Sequence, residues 1–141
     1  MYYTRIRQGN MPKIETLNLA HYDSATGIFS LSRSEDSSLA HVSLRLEGEY
    51  LAVSTSYGPL EIALRPRVEE LKRVLRMLQP VDGLQFSRQL GSGQTSIGLG
   101  LQSDGRLLIR PAVIGDASGY IAINLALAPE ARVALFEWLG V

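Results

Sequence analysis

The sequence contains no cysteine, which excludes a disulfide framework, a thiolate metal site and a cysteine nucleophile. Histidine is confined to His21 and His41, and no carboxylate stands at metal-ligand spacing from either. Net charge is absent too: 14 basic residues balance 14 acidic ones, which argues against a protein that simply coats a polyphosphate. No apolar run approaches membrane-spanning length, and the N-terminal Met1-Tyr2-Tyr3-Thr4-Arg5-Ile6-Arg7 lacks the apolar core of a signal peptide. A soluble cytoplasmic protein with no membrane partner is the expectation. Signatures of catalysis are missing as well. There is no Gly-x-Ser-x-Gly elbow. Gly91-Ser92-Gly93 lacks the third glycine of a dinucleotide loop and the lysine of a P-loop, so it reads as a hairpin turn. Glu35-Asp36 lies in a serine-rich loop and Glu69-Glu70 points to different sides of a helix, so neither makes an acid–base pair. The reading is of a chain that is not an enzyme and needs no metal or cofactor.

What is present is apolar material in a regular pattern. Of the 141 residues, 45% are hydrophobic, enough for the core of a single domain spanning residues 1–141. Residues 1–26 form a locally basic lead-in with Arg5, Arg7, Lys13, Tyr2 and Tyr3; alternation of Leu17 and Leu19 with polar residues fits a strand near 13–20, and the lead-in reads either as an extension of a sheet edge or as a mobile first dozen residues. A first unit, 27–78, follows. Ile28 to Ser32 is a strand with Phe29 and Leu31 inward, and Val42, Leu44 and Leu46 alternate with polar residues. Gly48-Glu49 turns the chain so that Leu51 and Val53 face in, and Leu60, Ile62 and Leu64 supply a fourth strand. Pro66 then opens a helix with Val68, Leu71, Leu75 and Leu78 on one face. A second unit, 83–139, repeats this order. Ile97, Leu99 and Leu101 fall on Val42, Leu44 and Leu46 at an offset of 55, and Leu107 and Ile109 fall on Leu51 and Val53. After a longer connection over 111–119, Tyr120 matches Tyr57, and Ile123, Leu125 and Leu127 match Leu60, Ile62 and Leu64. Pro129 starts the second helix and Gly140 ends it. Ile62-Ala63-Leu64-Arg65-Pro66 and Leu125-Ala126-Leu127-Ala128-Pro129 are thus the same strand-to-helix junction, written twice.

This order of elements resembles the whirly fold, in which the unit of four strands and a helix is paired, as it also is in dimers of PC4-type transcription cofactors. Kinetoplastid guide-RNA-binding proteins and Pur-type repeats are similar in layout. The resemblance covers residues 27–139 and rests on topology, without a signature motif. It implies an α+β fold of two tandem ββββα units: two antiparallel four-stranded sheets and two helices about a pseudo-twofold axis, the helix of one unit reaching the sheet of the other. It also implies binding of single-stranded DNA or RNA on exposed sheet faces.

The residues offered for that role follow from alternation. Outward positions of the second sheet are Gln85, Ser87, Gln89, Ser96, Gly98, Gly100, Gln102, Arg106, Leu108, Arg110 and Asn124, a set without a carboxylate. Arg106, Arg110 and Arg88 suit phosphates, Asn124 suits a base, and Gly98 and Gly100 leave room for a ligand backbone. The same pattern suits an ordinary solvated face. The first face carries His41, Arg45 and Tyr50, but also Glu47 and Glu61. Tyr50 is the stacking candidate there, whereas Tyr57 and Tyr120 recur at matched positions and read as structural. Arginine makes up 12 of the 14 basic residues, and its planar fork matches phosphates, carboxylates and ring faces; genomic base composition explains the count equally well. Lys72, Arg73 and Arg76 make a basic helix patch that also reads as plain solvation. The leading expectation is a noncatalytic protein binding single-stranded nucleic acid through Arg45, Tyr50, Arg88, Arg106, Arg110 and Asn124. The alternative is a protein-binding or secretion-chaperone-like module, with a protein partner or a homo-oligomer.

Overall fold

Alternation of apolar and polar residues along the chain yields two β-sheets whose apolar sides face one core. The computed structural model describes residues 14–33, 40–90, 95–114 and 119–141, and for 87–90 and 120 the backbone alone. The basic arm of Arg5, Arg7 and Lys13, the pair Tyr2 and Tyr3, the loop holding Glu35 and Asp36, and Gly91-Ser92-Gly93 lie outside the described residues. The elements are β1 (Glu15–Leu17), β2 (Leu19–Asp23), β3 (Ile28–Ser32), β4 (Ala40–Glu47), β5 (Tyr50–Tyr57), β6 (Leu60–Leu64), α1 (Val68–Met77), β7 (Val81–Leu90), β8 (Thr95–Leu101), β9 (Leu107–Ile114), β10 (Tyr120–Ala122), β11 (Leu125–Leu127) and α2 (Pro129–Leu139).

The fold is α+β and mostly sheet. One sheet is antiparallel and five-stranded, in the order β2-β3-β4-β5-β6; the other is mixed and six-stranded, β1-β11-β9-β8-β7 with β10 also on β9. Each is larger than the four strands expected, because the lead-in supplies a strand to both. Its single expected strand is broken at Asn18: β1 runs parallel to β11, while β2 runs antiparallel to β3.

Core positions follow the alternation closely. Phe29, Leu31, Val42, Leu44, Leu51, Val53, Ile62 and Leu64 from the first sheet meet Leu17, Ile97, Leu99, Leu107, Leu125 and Leu127 from the second. Both helices enter this layer, through Val74, Leu75, Leu78, Ala131, Leu135 and Leu139. Helix α2 crosses to the first sheet, where Trp138 stacks on Phe29 at 4.9 Å and tilts against Tyr22 at 6.2 Å. Leu46 departs from the expected core and is 46% exposed, because it stands at the last turn of the β4–β5 hairpin, beyond the layer.

Three local features have definite causes. Gly48, at φ 65°, makes the two-residue turn between β4 and β5. Pro66 does not start α1 as expected. Its carbonyl accepts from Leu51 N (2.9 Å), and Val68 N donates to Glu49 O (2.9 Å), so the chain continues the sheet for two more residues. Pro129 does begin α2, which closes on Gly140 in the left-handed conformation. Pro111 lies inside β9, where its nitrogen cannot donate; its carbonyl accepts from Ile123 N, and the partner strand splits into β10 and β11 at this point.

Part of the outer side of the second sheet is covered by its own chain. β7 pairs through Val81↔Leu101 and again through Phe86↔Leu99, so residues 82–85 loop over Gly100. Asp82 Oδ1 accepts from Ser103 N (3.1 Å) and Oγ (3.2 Å), Gln102 Oε1 accepts from Gly83 N (3.3 Å), and Gln85 Nε2 donates to Gln79 O (2.6 Å). A Cβ at Gly100 would overlap the Gly83 carbonyl, whereas one at Gly98 would meet only the Leu84 Cδ1 at 3.1 Å. Gly100→Ala is therefore expected to cost about 2–3 kcal/mol in urea unfolding and Gly98→Ala much less, since a leucine tip moves and a backbone does not. Equal losses would show that the loop is not held in place. Thr55 is 1% exposed, and its hydroxyl finds no partner among the described residues beside a cavity of about 30 Å³. Thr55→Val, which keeps the shape and removes the orphan hydroxyl, should raise stability by about 1 kcal/mol. A loss of stability would mean that the hydroxyl is satisfied.

Candidate functional site

Among the described residues the outer side of the first sheet carries no covering segment, and cross-strand register determines what stands on it. Two tight turns align β4, β5 and β6 so that His21, Ser30, Ser43, Ser54 and Ala63 form one row across all five strands. Ile28, Arg45 and Ala52 form the next, with Arg65 just past β6. Ser43, Ala52, Ser54 and Ala63 are short, so the middle of the face is low while its margins are tall. The result is a groove of about 530 Å³, with Ile28 on one side, Thr95 at the start of β8 also lining it, and Arg45, Glu47 and Arg65 at one end. A concave, mainly apolar site with a few polar groups at one end is the usual form of a ligand site.

The charged end is an ordered cluster. Arg45 donates through Nε (3.2 Å) and Nη2 (2.6 Å) to Glu47 Oε2, and Arg65 Nη2 lies 3.2 Å from Glu47 Oε1. Arg65 and Arg67 each place their guanidinium carbon 5.1 Å from the Tyr50 ring centre. Arg67 also pairs with Glu49 at 3.1 Å. The hydrogen bond from Arg45, with the charges of Arg45 and Arg65, holds the Glu47 carboxyl below its ordinary 4.5 against the opposing effect of desolvation.

At the other end, Ser43 Oγ lies 3.4 Å from His41 Nδ1, Ser56 Oγ donates to His41 O at 3.4 Å, and Ser54 Oγ donates to Glu61. Serine, histidine and glutamate do meet here, but Glu61 holds a serine rather than the imidazole. Among the described residues no cluster of three His, Cys, Asp or Glu could hold a metal ion. The arrangement offers a ligand an apolar floor with a charged cluster at one end.

Of the residues expected to form a site, the structure brings Arg45 and Tyr50 together at this groove end. Arg106 and Asn124 belong to the other face. Arg106 is tied by Nε to Asp104 Oδ2 at 2.9 Å, so that surface is not free of carboxylates. Asn124 stands half-buried at the break between β10 and β11, its carbonyl accepting from Glu15 N. Arg110 is half-buried beside Gly98. The side chains of Arg88 and Tyr120 lie outside the described residues. The space above Gly100, expected to admit a ligand backbone, holds Gly83, and the Gln85 and Gln102 amides hold that loop. Leu108, expected outward, is 8% exposed. Sequence reasoning passed over Arg65, Arg67, Ala52 and Ala63. The register would have found them, because the two-residue turns after Glu47 and Tyr57 fix which residues stand opposite. No protein-family model, curated protein or solved structure matches this chain.

Because the folded carboxyl of Glu47 is depressed, its stabilising contribution is present above 4.5 and is lost as pH falls through the lowered value. In a carbon-13 NMR titration Glu47 should titrate below 4.5, and Arg45→Ala should move its midpoint up. A midpoint unchanged by Arg45→Ala would remove Arg45 as the cause.

Proposed function

We propose that this chain is a noncatalytic module that holds an extended peptide segment of a partner protein in the groove of the first sheet. The observation that carries this reading is a low apolar floor on a face without excess positive charge. Arg45, Arg65 and Arg67 stand there against Asp23, Glu47, Glu49 and Glu61. A phosphate polymer draws most of its affinity from uncompensated cations, and these arginines are compensated. An apolar segment gains instead from covering Ala52, Ala63 and Ile28. Among the described residues no helix is long and apolar enough to cross a membrane, and a cytoplasmic partner is part of the proposal.

Binding of single-stranded nucleic acid is the second reading, favoured by the exposed cluster of Tyr50, Arg65 and Arg67, on which a base can stack. The whirly-like pairing of two ββββα units belongs with it. Its support is the shared order of β3 to β6 before α1 and of β7 to β11 before α2.

Fluorescence anisotropy with labelled pentapeptides of alternating apolar and polar residues, and with short oligothymidylate, separates the two. The peptides should bind with Kd on the order of 100 µM or tighter, and Ala52→Leu with Ala63→Leu, which fills the groove, should abolish that binding in a folded protein. Oligothymidylate binding that weakens steeply with salt, with no peptide bound, would replace the first reading by the second.

A further inference from the structure

The groove is uncharged along its floor, and the charged side chains that line its end are Arg45, Arg65 and Glu47. Arg45 and Arg65 share the single carboxylate of Glu47, while Arg67 has its own in Glu49. The two arginines are not equivalent. Arg45 spends Nε and Nη2 on Glu47 in aligned hydrogen bonds. Arg65 touches Glu47 only as an ion pair, donates no aligned hydrogen bond among the described residues, and has a side chain 61% exposed that lines the groove. Its plane is steadied by Tyr50 at 5.1 Å. A guanidinium that lies over an aromatic ring beside an apolar floor, with one nitrogen ion-paired and the other donors unspent among the described residues, is a seat for a carboxylate, since the fork matches two oxygens at once.

We propose that Arg65 is the specificity anchor of the groove, selecting a peptide whose apolar residues lie over Ala52 and Ala63 and whose next residue is aspartate or glutamate. This rests on the groove being a peptide site. Glu47 is then a positioning residue. It holds Arg45 and draws Arg65 towards the groove end, and the ligand carboxylate becomes the second anion of a two-arginine, two-carboxylate set. The exposure of Arg65 sets the size of the effect, because water competes for a donor of this kind.

The test uses two labelled peptides, acetyl-Leu-Ser-Val-Ala-Glu amide and the same peptide ending in glutamine. The glutamate peptide should bind about tenfold tighter at low salt, and the preference should shrink at high salt. Arg65→Gln should erase the preference, so that the variant binds the two peptides equally. Arg73→Gln, which removes the same charge from the exposed side of α1, should leave the preference intact. Equal binding of both peptides by the native protein, or a preference that survives Arg65→Gln, overturns the anchor and leaves the peptide groove standing. Failure of both peptides to bind overturns the groove reading itself.

Discussion

Leu17 and Asn18 are consecutive residues whose backbone groups belong to different sheets. The Leu17 carbonyl accepts from Ala128 N at 2.9 Å, at the end of the second sheet, while Asn18 N donates to Ser32 O at 3.0 Å in the first. A chain cannot be in both places unless the sheets meet there at a fixed angle and distance, so this crossing sets the geometry of the core. Leu17, with no exposed surface, plugs the junction. Glu15 from the second sheet reaches Arg33, just past β3 of the first, at 2.9 Å, and is itself 6% exposed. Removing Arg33 would take this hydrogen bond from a buried carboxylate. An ion pair there adds specificity to a joint that apolar contact alone would leave free to slide.

With the sheets clasped, each has one buried face, and the opposite faces meet different fates. On the second sheet, residues 82–85 double back over the strand they pair with, made possible by a glycine at 100 and by the left-handed Gly83. Hydrophobic surface such as Leu108 is thereby covered. On the first sheet no such loop exists among the described residues, and short side chains in adjacent rows leave a depression. Among the described residues, the asymmetry between the units therefore lies in how each outer face is finished.

Much of this was legible. Period-two alternation located the buried leucines, and Gly48, Pro129 and Gly140 marked the turn and the helix ends. Three things were not. The break at Asn18 has no local signal, because Leu17 and Leu19 alternate as smoothly as one strand would. Pro66 looks like a helix start since proline suits that position, but the carbonyl before the helix was claimed by Leu51 across the sheet. The loop over Gly100 is invisible to alternation, which assigns Gln85 and Gln102 to solvent when they are bonded to the chain itself. Glycine was rightly read as a site of close backbone approach; the backbone is the protein's own.

The arginine count, so suggestive in the sequence, acquires a plainer meaning in the fold. Arg33 faces Glu15, Arg67 faces Glu49, Arg73 faces Glu70, Arg106 faces Asp104, and Arg45 and Arg65 divide Glu47. Among the described residues these charges are neutralised locally, largely pair by pair. Such a surface generates little long-range field, so it neither steers a polyanion nor repels a neutral chain. Whatever binds must gain its energy at contact, from covered apolar area and the few donors left unspent. That requirement directs attention away from the arginines as a class and towards the single place where two of them have one carboxylate between them.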